Sequence, residues 1–393
     1  MKSELLLTFN AGSSTVKIGV FAHGQGAARR IGKAVIDFRH APLTFHLTEG
    51  PATFDIPLHA GGEDDLTAVL NEAFSALGDH FDLDAAIAAG HRVVHGGERF
   101  SGPVAIDEQA VDDIEQLVAL APLHQPQSLR LIKAMRSIRP HLAQTASFDT
   151  VFHGTINALV RRFAIPRALH DEGIKRYGFH GLSYKFIAGE LARRMPELAG
   201  RKIVVAHLGS GASLCGLDSG ESRDTSMGFS TLDGIPMATR SGAIDPGVLV
   251  HLLNRKGMSS QALEDFLYHQ CGLLGISGID SDSRELLASD RPEAREALDL
   301  FAFRIAGETA RIANTLGGID ALVFTAGIGE HQPEIRSRIV DHLAWLGLRI
   351  DPTANDSNAE TISAEGSRVK VLVIPTDEEQ VIADEAVHIL GAI

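Results

Sequence analysis

A strand, a glycine-bearing turn and a returning strand open the chain, and the same device comes back about half a chain later. Residues 4–21 read ELLLTFNAGSSTVKIGVF. An apolar run over 5–9 leads into Asn10, Ala11, Gly12, Ser13 and Ser14, and a β-branched apolar run follows over 16–21. Apolar runs flanking small, turn-forming residues predict a β-hairpin. Residues 203–208 are again apolar, Gly209-Ser210-Gly211-Ala212 form the turn, and 213–217 return. At an offset of 197 residues in a chain of 393, Gly12 falls on Gly209, Ser13 on Ser210 and Gly19 on Gly216. Two halves that open alike imply a duplication, and 393 residues exceed one ordinary core, so two domains are expected.

The first turn is rich in donors, with backbone N–H groups around Gly12, hydroxyls, the Asn10 amide and Lys17 just beyond. Such a turn suits an anion. A P-loop would run from strand to helix through Gly-x-x-x-x-Gly-Lys-Ser/Thr. Here the chain passes from strand to strand, so either a different phosphate loop or an ordinary polar hairpin is meant. A third glycine run, Ala326-Gly327-Ile328-Gly329-Glu330, follows an apolar strand over 320–325 and is read as a turn. Three such runs fit a nucleotide triphosphate held between two lobes. The third precedes a helix, whose N-terminus favours an anion.

Other elements follow from periodicity and breakers. Helices are expected over 64–77, 107–119, 127–138, 183–195, 298–316 and 333–346, with a closing helix after Pro375-Thr376-Asp377-Glu378-Glu379. Strands are expected over 85–94, 145–151 (carrying Asp149) and 369–374. Net charge is −14 with acidic residues scattered, which argues against a nucleic-acid surface. In such a chain, arginines set among glycines and apolar residues invite attention. Arg92 lies in His91-Arg92-Val93-Val94-His95-Gly96-Gly97 and Arg240 in Thr239-Arg240-Ser241-Gly242. Each is either a two-pronged anion holder or a surface salt bridge. His180, between Phe179 and Gly181, is either a phosphoryl donor or a satisfied core residue. Asp149, beside aromatics, needs magnesium, an arginine or a reacting hydroxyl as partner. Asn10 and Glu378 offer hard oxygen ligands, although capping the last helix is the simpler role for Glu378. Cys215 and Cys271, the two cysteines, exclude a disulfide framework and a cysteine-built zinc site, and both are read as small core fillers. The opening apolar run is too short for a signal peptide and no window reaches a membrane span, so a cytoplasmic enzyme is expected.

Taken together, several blocks resemble the acetate kinase family of the acetate and sugar kinase, Hsp70 and actin superfamily. They are Asn10-Ala-Gly-Ser-Ser, Gly90-His-Arg-Val-Val-His-Gly-Gly-Glu98, Ala121-Pro-Leu-His124, Tyr177-Gly-Phe-His-Gly181 and His207-Leu-Gly-Ser-Gly211. Thr239-Arg-Ser-Gly242, Phe324-Thr-Ala-Gly-Ile-Gly-Glu330 and Pro375-Thr-Asp-Glu-Glu379 complete the set. The resemblance runs from end to end. It implies an α/β fold of two duplicated ribonuclease-H-like (actin-like ATPase) lobes with the active site in the cleft between them. Residues 1–148 with 380–393 would form the acyl and magnesium lobe, and 149–379 the lobe for nucleotide and dimerisation.

Carried over residue by residue, the resemblance makes Asn10 and Glu378 ligands of magnesium (manganese as a substitute) and Lys17 a phosphate contact. Arg92 would bind the acyl carboxylate, with Val94, Leu123 and Phe179 around its methyl group. Asp149 would be the catalytic carboxylate, acting mainly through magnesium and hydrogen bonding, while His180 and Arg240 stabilise the transition state. ATP or ADP would be held by His207, Leu208, Gly209, Ser210 and Gly211, by Asp282, Ser283 and Arg284, and by Gly327, Ile328, Gly329, Glu330 and His331. A homodimer is also implied. Ser210 and His331 stand where the family has Asn, Ala243 where it has Asp, and Thr231 where it has a pocket proline. The implied reaction passes a phosphoryl group between ATP and acetate. A propionate or butyrate kinase, a nucleotide-switched protein clamp and a sugar kinase are the alternatives, the last requiring more polar cleft residues than this chain shows.

Overall fold

In the computed structural model the described residues are 4–12, 15–24, 28–39, 41–61 and 66–391. Ser13 and Ser14 of the first turn, and Asp64 and Asp65 ahead of the first helix, lie outside them. The chain divides into two compact units, Met1–Val151 with Asp377–Ile393, and Phe152–Thr376.

The first unit is built on an eight-stranded sheet. Its strands are β1 (Glu4–Ala11), β2 (Thr15–His23), β3 (Arg29–Asp37), β4 (Thr44–Glu49), β5 (Ala52–Pro57), β6 (Ala86–Val93), β7 (Val104–Ala105) and β8 (Ala143–Phe148), in the order β5-β4-β3-β2-β1-β6-β8-β7. β1 and β2 pair antiparallel as the expected hairpin, while β1–β6 and β6–β8 are parallel. Side chains alternate across a strand, so β1 serves two cores. Leu5, Leu7 and Phe9 pack with Val69, Leu70 and Phe74 of helix Leu66–Gly78 and with Leu131 and Met135 of helix Gln125–Ile138. Leu6 faces the other way, toward Phe21, Ala88 and Ala383 of the closing helix Glu378–Gly391. That helix lies so close to β6 that a Cβ at Gly90 would stand 2.6 Å from Ile382 Cγ2. Burying both faces of a central strand explains why 5–9 reads as an unbroken apolar run.

The second unit repeats the plan on five strands, β9 (Lys202–Leu208), β10 (Ala212–Asp218), β11 (Glu221–Thr225), β12 (Ala321–Thr325) and β13 (Lys370–Val373), ordered β11-β10-β9-β12-β13. β9–β10 and β10–β11 are antiparallel, β9–β12 and β12–β13 parallel. The equivalent strands of the first unit, β3-β2-β1-β6-β8, have the same neighbours and directions. Four residues separate the paired ends Ala11 and Val16, but three separate Leu208 and Ala212, so no single offset fits both strands of the repeat. Helix Gly181–Arg194 covers one face of this sheet through Tyr184, Ile187 and Leu191. Helix Pro292–Leu316 covers the other, and a Cβ at Gly216 would meet its Ile312 Cγ2 at 2.5 Å.

Several bounds differ from the sequence reading for local reasons. The long helix begins at Pro292 rather than 298, because proline is tolerated in a first turn whose N–H groups have no intrahelical partner. It ends, as expected, at Gly317, in the left-handed region at φ 68°. Residues 326–331 form a short helix rather than a turn, entered through Ala326 at φ 64°. Cys215 is fully buried, and burial raises its thiol pKa, whereas Cys271 is only partly buried. Arg336 is fully buried and donates to Asn355 Oδ1 (2.8 Å), the carbonyls of Gly329 (2.9 Å) and Asn355 (2.7 Å), and Asn358 Oδ1 (2.6 Å). It thereby ties the short helix to the segment 355–358.

Three buried histidines link the fold to pH. Burial lowers His91 to about 3, and His95 and His153 each to about 4. An unfolded histidine titrates near 6.5, so on acidification the unfolded chain takes up these protons first. Their contribution is therefore complete above that pH and declines as pH falls toward 4. The expected loss between pH 6.5 and 5 is about 1.5 kcal/mol for each group. Urea unfolding across that interval measures it, and a flat midpoint would contradict the assignment.

Candidate active site

In the first unit four of the expected site residues form one bonded cluster. Asp149 sits just past β8, fully buried, and Arg92 reaches it from β6 with its side chain 13% exposed. Arg92 Nη2 and Nε donate to Asp149 Oδ2 at 2.6 and 3.1 Å, while Nη1 donates to Asn10 Oδ1 at 3.2 Å and Ala11 O at 3.3 Å. Asn10 Nδ2 in turn donates to Glu378 Oε2 (2.7 Å) and Glu379 Oε1 (3.1 Å) at the start of the closing helix. Burial works against the Arg92 charge, but Asp149, Glu378 and Glu379 outweigh it and raise its pKa. Parallel strands bring these residues together, because Asn10 and Ala11 end β1 while Arg92 lies on β6, the parallel neighbour of both β1 and β8. Lys17 is exposed on β2, directly opposite Asn10. Val94 is buried just after β6, and Leu123 is half-buried before helix Gln125–Ile138. Asp377, with Oδ1 accepting from Gln380 N at 2.9 Å, is the residue that caps the closing helix, and it also pairs with Arg30.

Asn10 thus turns its amide nitrogen to Glu378 while its Oδ1 accepts from Arg92, and among the described residues no group of three or more His, Cys, Asp or Glu could hold a metal ion. The Glu378 carboxylate alone suits a divalent ion completed by phosphate and water, since magnesium usually takes one or two carboxylates with the rest of its shell from substrate, and Asn10 would join it only with its amide turned over.

The second unit gathers another set around the glycine turn between β9 and β10. His180 stands at the N-terminus of helix Gly181–Arg194 in the left-handed region, φ 56°. This costs a non-glycine residue of order 1 kcal/mol or more and persists only where the surroundings impose it. They do so here. Tyr177 N and Gly178 N donate to Gly228 O (3.0 and 3.3 Å), and His153 Nε2 lies 2.9 Å from Phe179 O. His180 stacks on His207, ring centroids 4.3 Å apart and planes 16° off parallel. His180 Nδ1 is 2.7 Å from Ser213 Oγ, and His207 Nδ1 is 2.8 Å from Ser183 Oγ. The opposite ring edges border the turn. A Cβ at Gly211 would lie 3.6 Å from His180 Nε2 and 3.8 Å from Arg240 Nη1, and one at Gly209 would lie 3.9 Å from His207 Nε2. Arg240 rests on Thr231 O (3.4 Å) and Met237 Sδ (3.8 Å), its Cζ 5.7 Å from the Tyr268 ring centroid.

Of the remaining residues, Leu208 and Phe179 are buried and Ser210 is exposed. Asp282 and Arg284 bond each other, Arg284 Nε donating to Asp282 Oδ1 at 3.1 Å, with Ser283 buried between them. Gly327, Ile328, Gly329, Glu330 and His331 make the short helix after β12. Glu330 Oε1 accepts from Ala326 N (2.7 Å) and Thr376 N (3.2 Å), so its carboxylate holds backbone, while His331 is exposed. Sequence reasoning missed Ser183, Tyr184, Ser213, Thr376 and Glu379. In the sequence, Ser183 and Tyr184 look like ordinary residues of an amphipathic helix, and only the pairing of β9 with β10 reveals what their hydroxyls meet.

Gly211→Ala tests the turn directly. The added methyl group would meet its neighbours at 3.6–3.8 Å, ordinary van der Waals distances that the fold should tolerate, yet it would occupy the space beside His180 Nε2 and Arg240 Nη1. The expected result is a fall in kcat/KM of about tenfold or more, the order of one lost charge-assisted contact, with a melting temperature within a few degrees of wild type. An unchanged kcat/KM would show that no reacting group uses that space.

A sheet plan used twice in one chain, each time opening on a β-hairpin with parallel strands beside it, is the architecture of the actin-like ATPases, here in the form of a two-lobe kinase. The chain belongs to the acetokinase family, whose model matches residues 5–384. It is 46% identical over 390 residues to an acetate kinase of Nitrobacter hamburgensis, spanning 98% of this chain and 96% of that one. It is 44% identical to an acetate kinase of Rhizobium meliloti over 99% of both chains. Among solved structures, a propionate kinase from Francisella tularensis superposes with a TM-score of 0.90 at 34% identity, covering 97% of this chain and 98% of that one. Porphyromonas gingivalis acetate kinase superposes at 0.87 with 31% identity, covering 99% and 100%.

Proposed function

We propose that this protein is an acetate kinase, a phosphotransferase that moves a phosphoryl group reversibly between ATP and the carboxylate of acetate. The observation that carries the reading is the match to acetate kinases along nearly the whole chain, through both units. The site chemistry supports it. Acetate is an anion at neutral pH, so its oxygen needs no base. The obstacle is repulsion between a carboxylate and a polyphosphate, which leaves positioning and charge stabilisation as the enzyme's task. In this reading Arg92, held rigid by Asp149, binds the carboxylate, with Val94, Leu123 and Phe179 excluding water from the methyl group. His180 and Arg240 donate to the phosphoryl oxygens as charge shifts, and Lys17 adds a further cation. His207–Gly211, the Asp282–Arg284 segment and the 327–331 helix hold the nucleotide. Asn10 and Glu378 would hold magnesium, which when bound neutralises phosphate charge.

Acetyl phosphate trapped as the hydroxamate tests the reading, run with acetate, propionate and butyrate. The expected order of kcat/KM places acetate first. A propionate kinase is the second reading, favoured by the Francisella structure and by Thr231, buried in the second unit at the family's pocket proline. One methylene changes discrimination by about 1–3 kcal/mol, so the ratio of kcat/KM separates the two. No acyl phosphate from any of the three acids would leave the nucleotide-switched clamp. Read as an ATP-using kinase, the protein works in the cytoplasm, and among the described residues no helix is long and apolar enough to cross a membrane. A homodimer is supported by helix Pro246–Arg255, none of whose residues is buried although it presents Val248, Val250 and Leu253.

A further inference from the structure

We infer that hydroxyls on helix Gly181–Arg194 set the tautomers of both stacked histidines, so that His180 and His207 each turn an Nε2–H toward the glycine turn. Ser183, Tyr184 and Ser213 are then positioning residues for the transfer. The inference rests on the reading above, in which the space beside that turn receives phosphate oxygens.

Two neighbouring residues of the helix each serve one ring. Ser183 Oγ lies 2.8 Å from His207 Nδ1 and 2.9 Å from Thr376 Oγ1. Tyr184 acts through a relay, its hydroxyl 2.5 Å from Ser213 Oγ, which is itself 2.7 Å from His180 Nδ1. Ser183, Tyr184 and Ser213 are all fully buried, so water does not compete for these contacts. A serine hydroxyl has one proton, and Ser213 meets two partners. Either tyrosine donates to serine and serine to Nδ1, or Nδ1–H donates to serine and serine to tyrosine. Phenol is the more acidic hydroxyl and the better donor, which selects the first direction. The Ser213 proton then goes to His180 Nδ1, and the ring's own proton resides on Nε2.

That direction is also the one an anion requires. His180 Nε2, His207 Nε2 and Arg240 Nη1 all border Gly209 and Gly211. A lone pair at either Nε2 would face an incoming phosphate oxygen with repulsion, whereas an N–H would donate to it. Stacking at 4.3 Å fixes the two rings relative to each other, so the two Nε2 positions are held side by side while each ring takes its tautomer from its own hydroxyl.

The test is long-range 1H–15N correlation of the full-length, 15N-labelled protein at alkaline pH, where imidazoles are neutral. His180 and His207 signals are assigned by their loss in His180→Gln and His207→Gln. The expected wild-type spectrum shows both rings as Nε2–H. In Ser213→Ala, His180 alone becomes a mixture of tautomers, and kcat falls about twofold to fivefold, in proportion to the Nε2–H fraction that remains and less than for loss of the donor itself. KM for acetate and ATP should stay within about threefold, because positioning acts on the transition state. Ser213→Thr keeps the hydroxyl and should restore both the tautomer and most of kcat, and Ser183→Ala should alter His207 alone. An Nδ1–H tautomer in the wild type, or a His180 spectrum unmoved in Ser213→Ala, overturns the inference. Tyr184→Phe should follow Ser213→Ala, and if it fails to fold the two Ser213 variants still decide. A wild-type kcat in His180→Ala would instead overturn the catalytic reading of that ring, an outcome the spectra distinguish because they do not depend on turnover.

Discussion

Replacing Asp149 by Asn should lower kcat about a hundredfold or more, with no recovery at saturating magnesium. The carboxylate is fully buried and accepts twice from Arg92 on one oxygen, at 2.6 and 3.1 Å. An amide in its place keeps one acceptor but removes the charge that offsets a guanidinium itself largely out of water. Breaking a buried pair by removing one partner costs about 3–5 kcal/mol, because the survivor is left uncompensated. Glu378 and Glu379 also favour the Arg92 charge and temper that cost. Activity and melting temperature should therefore fall together in Asp149→Asn. Most of the activity surviving at saturating magnesium would show that the carboxylate is not essential. A double-mutant cycle with Arg92→Lys measures the coupling, since lysine keeps the charge and loses the fork.

Arg240→Ala should lose about a hundredfold or more in kcat. Among the contacts of its guanidinium are a carbonyl at 3.4 Å, a thioether at 3.8 Å and the Tyr268 ring, each of them weak. The loss should fall on kcat and on kcat/KM alike, because an interaction made only as charge shifts leaves ground-state binding untouched. A change confined to KM would assign Arg240 to substrate holding instead.

The contrast between these residues also marks what is legible in the sequence. Both hairpins, the parallel strands after them and the Arg92 segment can be read, because apolar runs flanking glycine and arginine among apolar residues are strong local signals. The short helix at 326–331 reads as a turn, since two glycines in six residues ordinarily argue against helix. It forms because Ala326 enters in the left-handed region and Glu330 accepts from the Ala326 N–H. Long-range pairing is what hides the Asp149 partner. Asp149 lies 57 positions beyond Arg92, and only the parallel register of β6 with β8 brings them together. The hydroxyl relay behind His180 is equally hidden, for Tyr184 and Ser213 lie on different elements with nothing in either segment to name the other.

The closing helix Glu378–Gly391 belongs to the first unit although it follows the whole of the second. During synthesis at about 5–20 residues per second, β1 and β6 emerge from the ribosome long before the segment that shields Leu6 and Ala88. For tens of seconds the nascent first lobe carries an open greasy stripe and lacks Glu378. Maturation of that lobe must therefore wait until the segment Glu378–Gly391 has been made.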